Sequence, residues 1–194
     1  MDDRIVIWLS THRVGVLNDP SVWLGTIEKL GAVWIVLAIA VGVVQRRGLW
    51  GTIGLAFLTA LATTAADAIS FGVKDLTSRP RPFEVHHQIH PLYVVHSSSF
   101  PAGHAATAFA GAVLLAFAAP RIAPAVLVLA TLIALSRVYD GVHYPTDVLA
   151  GAALGAVVGA AAAAVLRLAE ARWQGGFELD SGRARRRRNV RSPA

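Results

Sequence analysis

Apolar positions run along this chain in long unbroken blocks, and ionisable residues are confined to the gaps between them. Five stretches carry no ionisable side chain: 30–45, 48–66, 105–120, 122–136 and 148–166. A membrane-spanning helix takes about 20 mostly apolar residues. The second and fifth stretches meet that length. The other three reach it when flanking Lys29, Arg46, His104, Arg121 and Arg137 extend to the interface. Five such blocks in 194 residues leave too little polar surface to cover them in water. The pattern predicts an all-α polytopic membrane helical bundle with five spanning helices. Residues 4–17 are too short to span, contain His12 and Arg13, and predict an N-terminal amphipathic helix in the interface. Asp2 and Asp3 stand where a signal peptide would carry basic residues. The expected organisation is one domain over 1–174, with 1–29 as an interfacial segment, and a basic, disordered tail over 175–194. Gly151, Gly155 and Gly159 share one helix face and predict a close helix contact. Trp8, Trp23, Trp34 and Trp50 are expected as interface or lipid-facing anchors.

Composition strengthens the membrane reading. The chain is 55% hydrophobic and 15% charged, against a usual charged share of about 25%, and its mean hydropathy is +0.53. With no cysteine, disulfide frameworks, thiolate metal sites and cysteine nucleophiles are excluded. The net charge of +6 belongs to Arg183, Arg185, Arg186, Arg187, Arg188 and Arg191, so the rest of the chain is neutral. Nothing aromatic interleaves these arginines, and nucleic acid is not an expected partner. They read as a topology determinant first and an attraction to anionic lipid second. Together with Arg46, Arg47 and Arg121 they place the C-terminal tail on the cytoplasmic side of a plasma membrane. The connections at 74–103 and 137–147 then face outward, with the N-terminal segment. Sixteen arginines against two lysines suit a GC-rich bacterial genome.

The two outer connections hold the unusual chemistry. Lys74, Arg79 and Arg81 follow the second block, Pro101-Ala102-Gly103-His104 opens the third, Ser136-Arg137 closes the fourth, and His143 and Asp147 precede the fifth. Lys74, Arg81 and Arg137 offer a point charge and planar forks suited to phosphate oxygens. Gly103 sits at a helix start, where free N–H groups favour an anion. A neutral histidine can attack phosphorus while a carboxylate fixes its tautomer. His143 and Asp147 are four apart, so a turn opened by Pro145 brings them within reach. His104 is a candidate proton donor to the leaving oxygen. This set describes a phosphoryl-transfer site that needs no metal and no cofactor.

These residues also stand in a familiar order. The chain resembles the type-2 phosphatidic acid phosphatases, the membrane branch of the superfamily that includes class A acid phosphatases and vanadium haloperoxidases. Lysine, six residues and Arg-Pro match Lys74 through Arg81-Pro82; Pro-Ser-Gly-His matches residues 101–104 except at one position; Ser-Arg, five residues, histidine, three residues and aspartate match Ser136-Arg137, His143 and Asp147. The resemblance implies a six-helix acid phosphatase/haloperoxidase-like core. It implies His143 as the nucleophile that forms a phosphohistidine, Asp147 as its orienting acid, and His104 as general acid and then general base. Lys74, Arg81, Arg137 and the Gly103 amide would hold the phosphate. The departure is Ala102, where the family usually has a serine; Ser97, Ser98, Ser99 or a water would have to replace that hydroxyl.

Other polar residues have plainer readings. His86, His87, His90 and His96 crowd one loop with Glu84 as their only acidic companion, which suits an exposed loop or substrate-access rim better than zinc. Asp67, two turns deeper than Lys74, is a candidate to orient that lysine. Arg79 either touches phosphate or snorkels to the interface, and Tyr139 and Asp140 shape a loop. The expected activity is metal-independent hydrolysis of the terminal phosphate of a lipid phosphate or diphosphate. A polyprenyl diphosphate or polyprenyl-linked phosphate is preferred, with phosphatidylglycerol phosphate or phosphatidate as alternatives. The rivals are a phosphotransferase with the same intermediate and a lipid-phosphate transporter or binding protein. The bilayer and the lipid are the expected partners, with no obligate protein partner.

Overall fold

A computed structural model describes residues 2–190, with side-chain detail as far as residue 172 except at Leu30. The regular structure of the described residues is helical throughout: α1 (Asp2–Thr11), α2 (Asn18–Glu28), α3 (Ala32–Val44), α4 (Gly48–Thr77), α5 (Pro82–Val85), α6 (Gly103–Ala118), α7 (Ala123–Tyr139) and α8 (Pro145–Val190). Short 3-10 turns occupy Gly15–Leu17, Lys29–Gly31 and Pro120–Ile122. The expectation for the basic tail at 175–194 lies outside the residues described in side-chain detail.

Among the described residues, Gly48–Val85, Pro120–Tyr139 and Pro145–Arg172 are long and apolar enough to cross a membrane. A fourth span exists if Gly15–Glu28 and Ala32–Val44, which bend by 68°, are taken as one. The bend falls at Gly31, whose φ of 69° is a left-handed conformation that a side chain would disfavour. Large apolar side chains such as Trp50, Phe57, Leu61, Val128, Leu132, Leu149 and Val157 point outward from these helices, the inside-out pattern of a bundle bathed in lipid.

α6 is the axis of the bundle. It is 16 residues long, and most of its circumference is buried against α4, α7 and α8. Small side chains are the reason it fits. A Cβ built on Gly151, Gly155 or Gly159 would lie 2.3, 2.1 or 2.6 Å from the carbonyl oxygens of Ala102, Ala106 and Ala110. The glycine face of α8 is therefore pressed onto the α6 backbone within the same chain. α4 meets α6 through its own stripe of Leu55, Thr59, Ala62, Thr63, Ala66 and Ser70. The Thr59 and Thr63 hydroxyls donate to Leu55 and Thr59 carbonyls one turn back, so neither is stranded in the apolar interior.

One expectation is corrected. Trp34 is fully buried, its ring over Gly111, where a Cβ would come within 2.3 Å, so it is core packing and no anchor. Trp8, Trp23 and Trp50 are exposed. Within the segment 1–29, α2 packs on α7 and buries Ser21, Gly25 and Glu28 along one face.

Helix direction gathers chemistry at one end. α4 and α7 finish where α6 and α8 begin, so Lys74, His104, Arg137 and Asp147 share that end. Arg47, Ala118 and Glu170 meet at the opposite end, with Arg47 Nη1 2.7 Å from Glu170 Oε1.

Candidate active site

Each motif residue is placed by a helix terminus. α4 ends after Lys74, with Ser78 at φ 46° turning the chain away. Arg81 is the N-cap of α5, where Pro82 supplies a φ already suited to a first turn and Glu84 Oε2 accepts the Arg81 N–H at 2.7 Å. Ala102 is the N-cap of α6 and offers no side-chain acceptor, leaving the first-turn N–H groups at Gly103 and His104 without a side-chain cap. Pro145 opens α8 and sets Asp147 in its first turn, beside the incoming His143.

The buried Arg81 guanidinium is held by neutral oxygens. Nε donates to Ser97 O at 2.7 Å, Nη1 to Val142 O at 2.7 Å and Nη2 to Ser97 Oγ at 3.0 Å. Nη1 also lies 3.4 Å from His143 Nε2. Lys74 Nζ donates to Ser98 O at 2.8 Å. Carbonyl partners fix these cations without neutralising them, which suits a site that must receive an anion.

His143 turns its other nitrogen, Nδ1, toward Asp147 Oδ2 at 3.6 Å, an ion-pair distance just beyond a hydrogen bond. Asp147 is fully buried and itself held, Oδ2 accepting from Ser99 Oγ at 2.5 Å and from Tyr144 N at 2.9 Å. Burial lowers the His143 pKa to about 4; Asp147 opposes that shift, and Arg81 and Lys74 add to it. The imidazole is neutral at physiological pH. With Nδ1–H toward the carboxylate, the Nε2 lone pair is available to a phosphorus whose oxygens lie against Arg81.

Arg137 is equally buried. Nη2 donates to Ser21 O and Ser136 Oγ, each at 2.8 Å, and Nη1 donates to Tyr93 Oη at 2.5 Å. Asp140 Oδ2 lies 3.1 Å from Nη2. A Cβ on Gly25 would fall 2.1 Å from Nη1, so only glycine lets α2 lie this close to the guanidinium. His104 lies near His143 and the charges of Arg137 and Lys74, with the Gly25 backbone as a hydrogen-bond neighbour. One turn further along the same interface, Thr107 donates from Oγ1 to the buried Glu28. Ser21, Gly25 and Glu28, together with Tyr93 and Asp140, are contributors that motif reading missed; the signal was a Ser-x3-Gly-x2-Glu spacing that puts all three α2 residues on one helix face.

The remaining candidates have specific partners. Ser99 Oγ is committed to Asp147, and Ser97 Oγ accepts from Arg81. Asp67 lies beside the start of α6, its Oδ1 3.2 Å from where a Gly103 Cβ would be. Arg79 turns to carboxylates, Nη1 to Asp147 Oδ1 at 2.6 Å and Nη2 to Asp2 Oδ2 at 3.1 Å. His86 Nε2 lies 3.2 Å from Asp3 Oδ1, and the His90 carbonyl accepts from Arg13. Asp140 is no mere loop residue: it is buried and accepts from Ser21 Oγ, and burial raises its pKa against the pull of Arg137. An open recess of about 590 Å³ lies beside Lys74, with Phe71 and His96 among its walls.

The family profile described as PAP2 superfamily matches residues 52–170. The chain is similar to decaprenylphosphoryl-5-phosphoribose phosphatase of Mycobacterium tuberculosis, 38% identical over 134 residues, covering 66% of this chain and 68% of that one. It is 40% identical to the Mycolicibacterium smegmatis protein of the same name over 147 residues, covering 72% and 73%. Similarity extends to undecaprenyl-diphosphatase of Sulfolobus acidocaldarius, at 30% over 155 residues, covering 76% and 69%. Among solved structures, the transmembrane PAP2 type phosphatidylglycerolphosphate phosphatase of Bacillus subtilis aligns with TM-score 0.66 at 25% identity, covering 83% of this chain and 82% of that one. Aquifex aeolicus LpxE aligns with TM-score 0.69 at 24% identity, covering 82% and 92%, which speaks to the fold alone. The profile spans all three motifs, and the chain belongs to the PAP2 superfamily.

Proposed function

We propose that the protein hydrolyses the terminal phosphate of a polyprenyl-linked lipid through a phosphohistidine at His143. The observation that carries this reading is the buried pair of His143 and Asp147 with Arg81 3.4 Å from the free Nε2. In the first half, the Nε2 lone pair attacks phosphorus, the bond from phosphorus to the lipid-side oxygen breaks, and His104 gives that oxygen a proton. In the second, His104 takes a proton from water as the water oxygen attacks phosphorus, and the P–N bond breaks with its electron pair returning to Nε2. Lys74, Arg81, Arg137 and the first-turn amides of α6 carry the charge of the transferring group. The α6 amides take the contact that the family's serine would otherwise share, because Ser97 and Ser99 are engaged elsewhere.

Relatives at 38–40% identity are named for a decaprenyl-linked phosphoribose and those at 28–30% for undecaprenyl diphosphate. This ranks a phosphate monoester on a polyprenyl-linked headgroup first. The recess beside Lys74 gives such a headgroup room outside the lipid, with Phe71 on its wall.

In the membrane, the chain is read with five spans, α3, α4, α6, α7 and α8, and the site on the outer side. The arginines at 46, 47 and 121 lie at the opposite end of the helices and support that sidedness. The test is phosphate release by purified protein in detergent with EDTA, across polyprenyl-linked phosphoribose, polyprenyl diphosphate, phosphatidylglycerol phosphate and phosphatidate. Release that depends on His143, fastest with the phosphoribose lipid, is expected. Turnover unaffected by His143→Ala refutes the mechanism, and product formed only when an alcohol acceptor is present makes the protein a phosphotransferase.

A further inference from the structure

We propose that Arg79 and Asp2 are positioning residues for the nucleophile, and that helix α1 is a working part of the active site through them. This rests on the reading of His143 as nucleophile and Asp147 as its orienting acid.

The two oxygens of Asp147 have separate duties. Oδ2 faces His143 and accepts from Ser99 and Tyr144 N. Oδ1 is taken by Arg79 Nη1 at 2.6 Å. A carboxylate turns about a soft terminal torsion, so its aim at Nδ1 depends on what grips the oxygen facing the other way. Arg79 provides that grip from a fixed plane: Nη1 also donates to Thr146 Oγ1 at 2.9 Å, and the guanidinium carbon stands 4.2 Å from the centre of the Tyr144 ring.

The guanidinium plane is held in turn by the first helix. Asp2 Oδ2 accepts from Arg79 Nη2 at 3.1 Å and from the Thr146 hydroxyl, while Oδ1 accepts the Thr146 backbone N–H at 3.1 Å. One carboxylate thus caps the first turn of α8 and steadies the arginine that steadies Asp147. A second tie keeps α1 in place, His86 to Asp3 at 3.2 Å. The line Asp2, Arg79, Asp147, His143 joins three distant parts of the sequence. With a carboxylate on each side, Arg79 has little charge to spare for phosphate, unlike Arg81 two residues on.

The experiment compares kcat, KM and melting temperature of the full chain in detergent for wild type, Asp2→Asn, Arg79→Ala, Arg79→Lys and the Asp2→Asn/Arg79→Ala pair. Loss of aim at the nucleophile lowers kcat with KM within about twofold. Arg79→Ala is expected to lose about 100-fold in kcat and Asp2→Asn about tenfold. Arg79→Lys recovers part of the loss, because an ammonium still reaches Asp147 without the fork. Because both residues act through one carboxylate, the double variant falls no further than Arg79→Ala alone. If Arg79→Ala does not fold, Arg79→Lys takes its place in the cycle. A rise in KM at constant kcat would make Arg79 a substrate ligand and overturn the proposal, as would losses that multiply in the double variant. Turnover retained by His143→Ala sinks the preceding reading and this one with it. An inactive His143→Ala beside wild-type kcat in Asp2→Asn sinks this one alone.

Discussion

At one end of the bundle Arg47 pairs with the half-exposed carboxylate of Glu170, and its Nη2 donates to Ala118 O at 3.0 Å. At the other, Arg81 and Arg137 are 2% and 1% exposed, and their nearest acceptors are mainly carbonyls and hydroxyls. The first arrangement is a surface ion pair, worth at most about 1 kcal/mol and replaceable by solvent. The second takes two cations out of water; Arg137 keeps the buried Asp140 carboxylate at 3.1 Å, but the Arg81 charge is left unmatched, an arrangement that folding alone would not favour. In the proposed mechanism an incoming phosphate supplies the missing countercharge. On that proposal the site end gives up stability to receive an anion, and the opposite end does not. The same contrast separates neighbours within the site, since Arg79 has two carboxylates and the Arg81 guanidinium has none among the described residues.

Substitutions sharpen this difference in order of size. Removing the Arg81 guanidinium takes away donors beside the reacting nitrogen, and Arg81→Ala is expected to lower kcat/KM by about 1,000-fold, measured as phosphate release. Gly25→Ala puts a methyl 2.1 Å from the present position of Arg137 Nη1 and forces that guanidinium to shift. A displacement of that kind costs about 100-fold in kcat/KM, although the residue touches no substrate. At the opposite end Arg47→Ala should leave kcat/KM within about twofold and cost less than about 1 kcal/mol in unfolding experiments. Equal losses from Arg47→Ala and Arg81→Ala would erase the contrast.

The pH response of His143 follows from the same burial. Its folded pKa near 4 lies below the ordinary value of 6.5. Between those values the unfolded chain binds more protons than the folded one. The stabilisation from a neutral His143 is complete above about pH 6.5 and is lost as pH falls toward 4. Melting temperatures of wild type and His143→Gln, followed from pH 7 to about 4.5, should converge as acid is added. A gap that stays constant, or widens, contradicts a buried neutral imidazole.

Much of this was legible in the sequence because it is local. Long apolar blocks announced helices at α3, α4, α6, α7 and α8, and Gly151, Gly155 and Gly159 announced a close contact whose partner proved to be α6. Three short motifs sit at helix ends, where spacing along the chain translates directly into shared position. What stayed hidden depends on proximity that spacing does not encode. Asp2 and Arg79 are 77 residues apart, and nothing in either neighbourhood names the other. Ser99 reads from the sequence as one stand-in for the family's serine, and its bond to Asp147 is not legible there. α2 was hardest: Asp19, Pro20 and Lys29 interrupt its hydropathy, so a helix that packs Gly25 against Arg137 looked like a surface segment. Trp34 misled for the opposite reason, since the space that buries it is made by a distant Gly111.

The central claim is a covalent bond between phosphorus and His143 Nε2. The most direct measurement is to quench turnover of a phosphorus-labelled polyprenyl lipid in alkali, where phosphohistidine survives, and to map the label by peptide mass. The account predicts label on His143, absent from His143→Ala and longer-lived in His104→Ala, which lacks the base for the second step. Label on another residue, or full turnover by His143→Ala, would contradict it.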